Sequence, residues 1–190
     1  MATPIPKLPT LSTERLILRS VTMDDAEGIF AYASDPEVSL FTMWEPHQNL
    51  GDSENFIQDY VFRRYSEGQP EPFGIALRDQ PDTLIGTIGC FWVSPRYRSM
   101  ELAYAIGRAY WGQGLVAEAG QTLLKHVFAT YDVERIQCRC KVENHASMRV
   151  MSKLGFQTEG VLRSEIHHRG RFWDVHYASL LHSEWKKRLP

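Results

Sequence analysis

Two glycines one residue apart, in Gly112-Gln113-Gly114, lie between the apolar run Glu101-Leu102-Ala103-Tyr104-Ala105-Ile106 and a helical stretch over Leu115–Thr130. A strand that feeds a glycine-rich turn and then a helix gathers unpaired backbone N–H groups at the positive end of a helix dipole. Such a point binds phosphate without a lysine. The helix carries Val116, Ala119, Leu123 and Val127 on one stripe, with Leu124 and Phe128 beside it, the spacing of a helix laid on a sheet.

The flanking pattern agrees with a sheet. Residues 15–21 alternate as a first strand, and Thr22 is placed to cap a helix over residues 23–34, with Asp25 as the acid of a shortened capping box. Residues 35–52 read as a loop or broken helix carrying Phe41 and Trp44; Asp52 is then placed to cap a second helix to about Ser66, before Gly68 and Pro70. Residues 72–78, 84–93 and 98–106 are strand-like runs separated by turn residues, which predicts an antiparallel meander. After the helix come a strand over 135–142 and a second helix opened by Asn144 and ended by Gly155. Two facing strands, about 156–166 and 171–181, complete the pattern. There is no internal repeat and no dividing linker. The expectation is one mixed α/β domain over 14–183, with a loose arm at 1–13 and a tail at 184–190.

At 190 residues a single domain can bury a substantial core, and 43% hydrophobic with 23% charged residues is ordinary globular composition. A net charge of -2 gives no support to a nucleic-acid partner. Three cysteines (Cys90, Cys138, Cys140) match neither a disulfide framework nor paired zinc ligands; Cys138 and Cys140 would share a strand face as small buried side chains. His167 and His168 are adjacent and would diverge on a strand, so no metal is expected. No apolar run reaches the roughly 18 residues of a membrane span, and the start with Pro4, Pro6 and Pro9 is no signal peptide. A cytoplasmic, reducing compartment is expected.

Several phosphate motifs compete for the glycine turn. Gly107 to Gly112 has Walker A spacing, but Gln113 and Gly114 stand where lysine and a hydroxyl residue belong. Gly112, Gly114 and Ala117 match a dinucleotide fingerprint, yet the antiparallel meander upstream and the stretched spacing to Glu143 argue against that fold. A plain tight turn stays open.

The stretch also resembles the coenzyme A site of the GCN5-related N-acetyltransferase (GNAT) superfamily, whose six-residue signature falls here on Trp111-Gly112-Gln113-Gly114-Leu115-Val116. Trp111 replaces the usual Gln or Arg, and Val116 replaces the small final residue. Tryptophan followed by Gly-x-Gly is similar to the RimJ/RimL branch of ribosomal-protein N-terminal acetyltransferases. Residues 11–19, the helix-then-strand pattern Asn144, Ser147, Val150, Leu154-Gly155-Phe156, and Glu159-Gly160-Val161-Leu162-Arg163 with Gly170 and Asp174 resemble the same branch, in order along the chain.

That resemblance implies a central, mostly antiparallel mixed sheet of about seven strands, the fourth and fifth splayed, with helices on both faces. It implies acetyl-CoA as donor and direct transfer to a primary amine, with a protein N-terminal α-amine as first choice. A small-molecule amine, or a non-catalytic acyl-CoA sensor, are the alternatives, and a homodimer is allowed because relatives are often dimers. Ala105 and Ile106 would line the pantetheine arm, and the N–H groups of Gly112, Gln113, Gly114, Leu115 and Val116, next to Trp111, would hold the pyrophosphate. Glu101 would serve as base through a water relay. Met151 stands where many relatives carry a proton-donating tyrosine; Ser147 stands where the RimL-like branch carries a serine and would be the proton donor or hydrogen-bond partner of the thiolate, while Asn144 caps the helix or touches the arm. Phe41, Trp44 and His167, with His168 and Arg169, could face the acceptor.

Overall fold

The computed structural model describes residues 7–188. Eight strands form one sheet: β1 (Leu11–Ser12), β2 (Leu16–Ser20), β3 (Phe73–Leu77), β4 (Gln80–Ser94), β5 (Ser99–Ile106), β6 (Arg135–Lys141), β7 (Gln157–His168) and β8 (Arg171–Leu181). Their order is β1-β2-β3-β4-β5-β6-β8-β7, and every pairing is antiparallel except that of β5 with β6.

Strand alternation splits the apolar side chains between two cores. Leu16, Leu18, Phe73, Ile75, Met100 and Leu102 face one side, where α5 (Leu115–Thr130), α6 (His145–Leu154) and α7 (His182–Lys186) cover them. Ala76 and Leu84 face the other, under α1 (Ala26–Ala33), α2 (Pro36–Ser39), α4 (Phe62–Ser66) and the segment with Ile57 and Val61 that joins α3 (Leu50–Asn55) to α4. α5 and α6 approach closely at Gly120, where a Cβ would come within 2.8 Å of Leu154.

The helix over Leu115–Thr130 has the predicted bounds, and Asn144 and Gly155 cap α6 as expected, Gly155 at φ +85°. Three expectations are corrected. The arm is not loose where it is described: Leu11 and Ser12 pair with Leu18 and Ile17, and Leu8 N–H bonds Ser20 Oγ at 2.7 Å, so β1 adds a short strand at the sheet edge. Residues 1–6 of that arm lie outside the described residues. The tail is structural as well, because Trp185 is 3% exposed and stacks on Phe128 at 5.6 Å, and Arg188 donates to the carbonyls of Leu154 and Gly155. Residues 189–190 lie outside the description. Finally, Asn49 rather than Asp52 is the N-cap of α3; the Asp52 carboxylate reaches back to the Asn49 and Gln48 N–H groups, the reciprocal half of a capping box.

Candidate active site

β5 and β6 pair only from Ser99↔Arg135 to Glu101↔Gln137 and then part. The gap opens toward the glycine turn. Gly107 N–H bonds Ile85 O at 2.8 Å. An antiparallel ladder alternates, so Ala103 and Ala105 turn their main-chain groups toward β4, whereas Tyr104 and Ile106 turn theirs into the gap. The expectation for Ala105 therefore shifts by one residue: Tyr104 and Ile106 carry the free edge, and the Ala105 methyl lies on the α1 side. The Ile106 carbonyl is taken by the Trp111 indole N–H at 2.9 Å, which leaves its N–H.

At the mouth of the gap, Gly112 and Gly114 have φ of +74° and +77°. Only glycine adopts this conformation without strain, and a Cβ at Gly112 would meet nothing within 4 Å. The first-turn N–H groups of Leu115, Val116 and Ala117 have no helical carbonyl one turn back, so they are free for an anion. Leu115 and Val116 bury their side chains and can offer only those amides. The Gln113 side chain turns back to Ala109 O at 2.9 Å, away from the helix mouth. Arg15 stands beside the turn, bonded to Gln113 O and paired with Glu118, with Nη2 3.9 Å from where a Gly114 Cβ would sit. Sequence reading passed over Arg15 because it is distant in the chain. Open, low-lying backbone next to a cation suits a pyrophosphate.

Below the gap, Ser147 and Tyr104 meet. Ser147 is 8% exposed, its N–H is capped by Asn144 Oδ1 at 3.0 Å, and its Oγ lies 2.7 Å from the Tyr104 hydroxyl. Burial pushes the Tyr104 phenol well above its ordinary value, and it pushes the Cys138 and Cys140 thiols up as well. Neither cysteine is therefore set up as a nucleophile. Met151 is buried in the core, consistent with its lack of a polar role.

On the α1 side, Glu101 is 7% exposed, and its carboxylate accepts from Gln137 Nε2 at 2.8 Å and Arg139 Nε at 2.9 Å. Beside it, Ala103 and Ala105 leave the sheet surface low. A small, half-open cavity lies over Thr87 and Ala105, lined by Ile29, Tyr32, Trp44, His47 and Phe56. Burial lowers the His47 pKa, and its Nδ1 sits 2.8 Å from Ser53 Oγ. Phe56 opens a π-helical stretch (Phe56–Val61) between α3 and α4, a distortion common at functional sites.

Of the expected acceptor residues, Trp44 reaches this cavity and Phe41 does not, standing instead edge-on to Trp173 at 6.5 Å. His167 is exposed against Phe172 at 4.8 Å. Its neighbour His168 turns inward to the buried Lys141, Nδ1 to Nζ 3.1 Å, and Lys141 also donates to Leu40 O and Thr42 O. Lys141 thereby ties the segment before Trp44 to the β7–β8 turn. Among the described residues, no group of three or more His, Cys, Asp or Glu is placed to hold a metal ion, and no helix is long and apolar enough to cross a membrane.

A family model described as an acetyltransferase (GNAT) domain matches residues 15–157. The chain belongs to the GNAT acetyltransferase family. This GNAT protein is 34% identical over 178 residues to the uncharacterised N-acetyltransferase p20 of Bacillus licheniformis, across 94% of this chain and 99% of that one. It is 30% identical over 138 residues to the ribosomal-protein-serine acetyltransferase of Escherichia coli strain K12, across 72% and 75% of the two chains. A solved GNAT-family acetyltransferase from Bacillus anthracis superposes with a TM-score of 0.82 at 27% identity, covering 93% of this chain and 100% of that one. The eight-stranded sheet with its single parallel pair is thus a GNAT fold, and the protein is an N-acetyltransferase that uses acetyl-CoA.

Proposed function

We propose that this enzyme acetylates a protein N-terminal α-amine, in the manner of the RimJ/RimL branch. The observation that carries the placement of the donor is the gap that opens after Glu101↔Gln137 and ends on two left-handed glycines and an uncapped helix mouth. The amides of residues 112–117 hold the pyrophosphate. The free edge of Tyr104 and Ile106 pairs with the pantetheine arm as an added strand would. One of those N–H groups polarises the thioester carbonyl, a contribution on the order of 3 kcal/mol when such a donor is preorganised.

When bound, acetyl-CoA supplies an activated acetyl group. The chain's own residues orient it, keep the attacking amine neutral and stabilise the departing sulfur. Glu101, fixed by Arg139 and Gln137, is the proton acceptor, directly or through a water. Ser147, held by the cap of α6, is the hydrogen-bond donor to the sulfur.

An α-amine suits this machinery. With a pKa of about 8 it is roughly 10% neutral at pH 7, whereas a lysine amine near 10.4 is below about 0.1% neutral. The cavity beside Ala105 supports the same choice. It is aromatic and lined by no carboxylate, so it fits the first side chain of a peptide better than a polyamine, whose second ammonium would lie there unpaired. The resemblance of this chain to a ribosomal-protein acetyltransferase points the same way.

The test is a panel of peptides with different first residues, plus small amines such as spermidine, incubated with protein and acetyl-CoA while released thiol is measured. Turnover confined to peptide α-amines is expected. Preference for a small amine would replace this acceptor. Tight donor binding without thiol release for any acceptor would point to an acyl-CoA sensor.

A further inference from the structure

We propose that Tyr104 is a positioning residue for acetyl transfer: its hydroxyl donates to Ser147 Oγ and thereby turns the serine's single proton toward the departing sulfur. The inference rests on the reading of Ser147 as the group that meets that sulfur.

Tyr104 and Ser147 are 43 residues apart in the chain and belong to the two sides of the splay, Tyr104 to β5 and Ser147 to the helix that follows β6. Above them the strands have separated. Their contact therefore bridges the gap from below. The Tyr104 ring packs against the core that holds Met100, Leu102 and Ile106, so the hydroxyl is delivered from a rigid strand rather than a loop.

Either hydroxyl can donate across this contact, and the proposed role requires that Tyr104 be the donor. A serine hydroxyl has one proton to give, and a tyrosine hydroxyl likewise. Beside the Cys138 thiol, the Tyr104 hydroxyl has two oxygen acceptors in reach, Ser147 Oγ at 2.7 Å and Ser147 O at 3.3 Å, the shorter of them the side-chain oxygen. If Tyr104 donates, the serine proton is not spent on the phenol and can turn to the gap, with the neighbouring Cys140 thiol as its other acceptor. If the serine donated to Tyr104, nothing would be left for the sulfur. Burial keeps the phenol protonated throughout the working range, so it remains a donor. Ser147 is the third residue of α6, where no helical carbonyl one turn back competes for its proton.

No proton leaves either residue. The bond between acetyl carbon and sulfur breaks as the bond between acetyl carbon and nitrogen forms. The sulfur departs as a thiolate under the Ser147 hydrogen bond and takes its proton from solvent.

The experiment is a double-mutant cycle of Tyr104→Phe and Ser147→Ala on the full chain, read as kcat and KM for acetyl-CoA with an acceptor turned over by the wild type. Calorimetric coenzyme A affinity and thermal midpoint serve as folding controls. Tyr104→Phe should lower kcat about tenfold with KM for acetyl-CoA nearly unchanged, the pattern of an interaction realised in the transition state. In the Ser147→Ala background, the same change should cost almost nothing, because its route of action is gone. Losses that multiply, or a Tyr104→Phe enzyme with wild-type kcat beside a slow Ser147→Ala enzyme, would overturn the role of Tyr104 and leave Ser147 in place. A Ser147→Ala enzyme with wild-type kcat would remove the serine and this inference with it. A Tyr104→Phe loss accompanied by weakened coenzyme binding would make the contact a structural one.

Discussion

The Glu101 carboxylate meets the Arg139 guanidinium at 2.9 Å at the point where β5 and β6 stop pairing. The pair fixes the Glu101 side chain at the root of the gap, on the low surface left by Ala103 and Ala105. If Glu101 takes the amine proton, Glu101→Gln should cost most when the amine is charged. Near pH 7 we expect kcat to fall about 100-fold. Above the α-amine pKa of about 8 the nucleophile is already neutral and the deficit should shrink. A pH–rate series on both enzymes checks this; a deficit of equal size at every pH would assign Glu101 to holding the cleft instead.

Gly114→Val places a branched side chain at φ +77° beside the helix mouth. Weaker coenzyme A binding is expected, by about tenfold or more in calorimetry, together with a loss of stability from the backbone strain. Gly68→Val is the control, because Gly68 has φ +71°, meets nothing within 4 Å and lies far from the gap in the chain. It should show comparable strain with unaltered affinity. Equal affinity losses in both variants would mean that strain alone explains the effect at Gly114.

The outer strand has an acid-sensitive tie. Paired hydrogen bonds from Arg135, helped by Ser179 and opposed by burial, hold the Glu159 carboxyl down to about 2, from an ordinary 4.5. A depressed carboxylate stabilises the fold above its unfolded pKa, so this contribution is full above about pH 4.5 and fades as pH falls toward 2. The Glu159 side chain is 42% exposed, so solvent screening keeps the effect modest. Melting the wild type and Glu159→Gln from pH 6 to pH 2.5 should show midpoints that differ at the upper end and converge at the lower end.

Trp185→Ala should destabilise the domain by about 3–5 kcal/mol, the usual cost of emptying a large aromatic site in a core. Denaturant unfolding measures it. A loss below about 1 kcal/mol would mean that α7 adds little to the core.

The sequence was most informative where a pattern is local. The helix over Leu115–Thr130 follows from its apolar stripe, and α6 follows from Asn144 before it and Gly155 after it. The glycine turn was legible because positive φ at two nearby positions demands glycine. What stayed hidden depends on distant partners. β1 is two residues long and exists only through β2, and Trp185 looks like a surface residue until Phe128 stacks on it. Asp52 resembled an N-cap because the acid of a capping box sits three residues inside the helix it helps to start. Tyr104 read as one more apolar strand residue, since nothing local connects it to a serine 43 positions away. Likewise, His47 gave no signal until α1, Phe56 and the sheet enclosed a cavity around it.

The most direct measurement is a crystal structure of this protein soaked with coenzyme A. Diphosphate oxygens within hydrogen-bonding distance of the N–H groups of residues 112–117, with the arm running along Tyr104 and Ile106, are the predicted result. Coenzyme A ordered at any other surface, with that helix mouth left to solvent, would contradict the placement of the donor on which the mechanism stands.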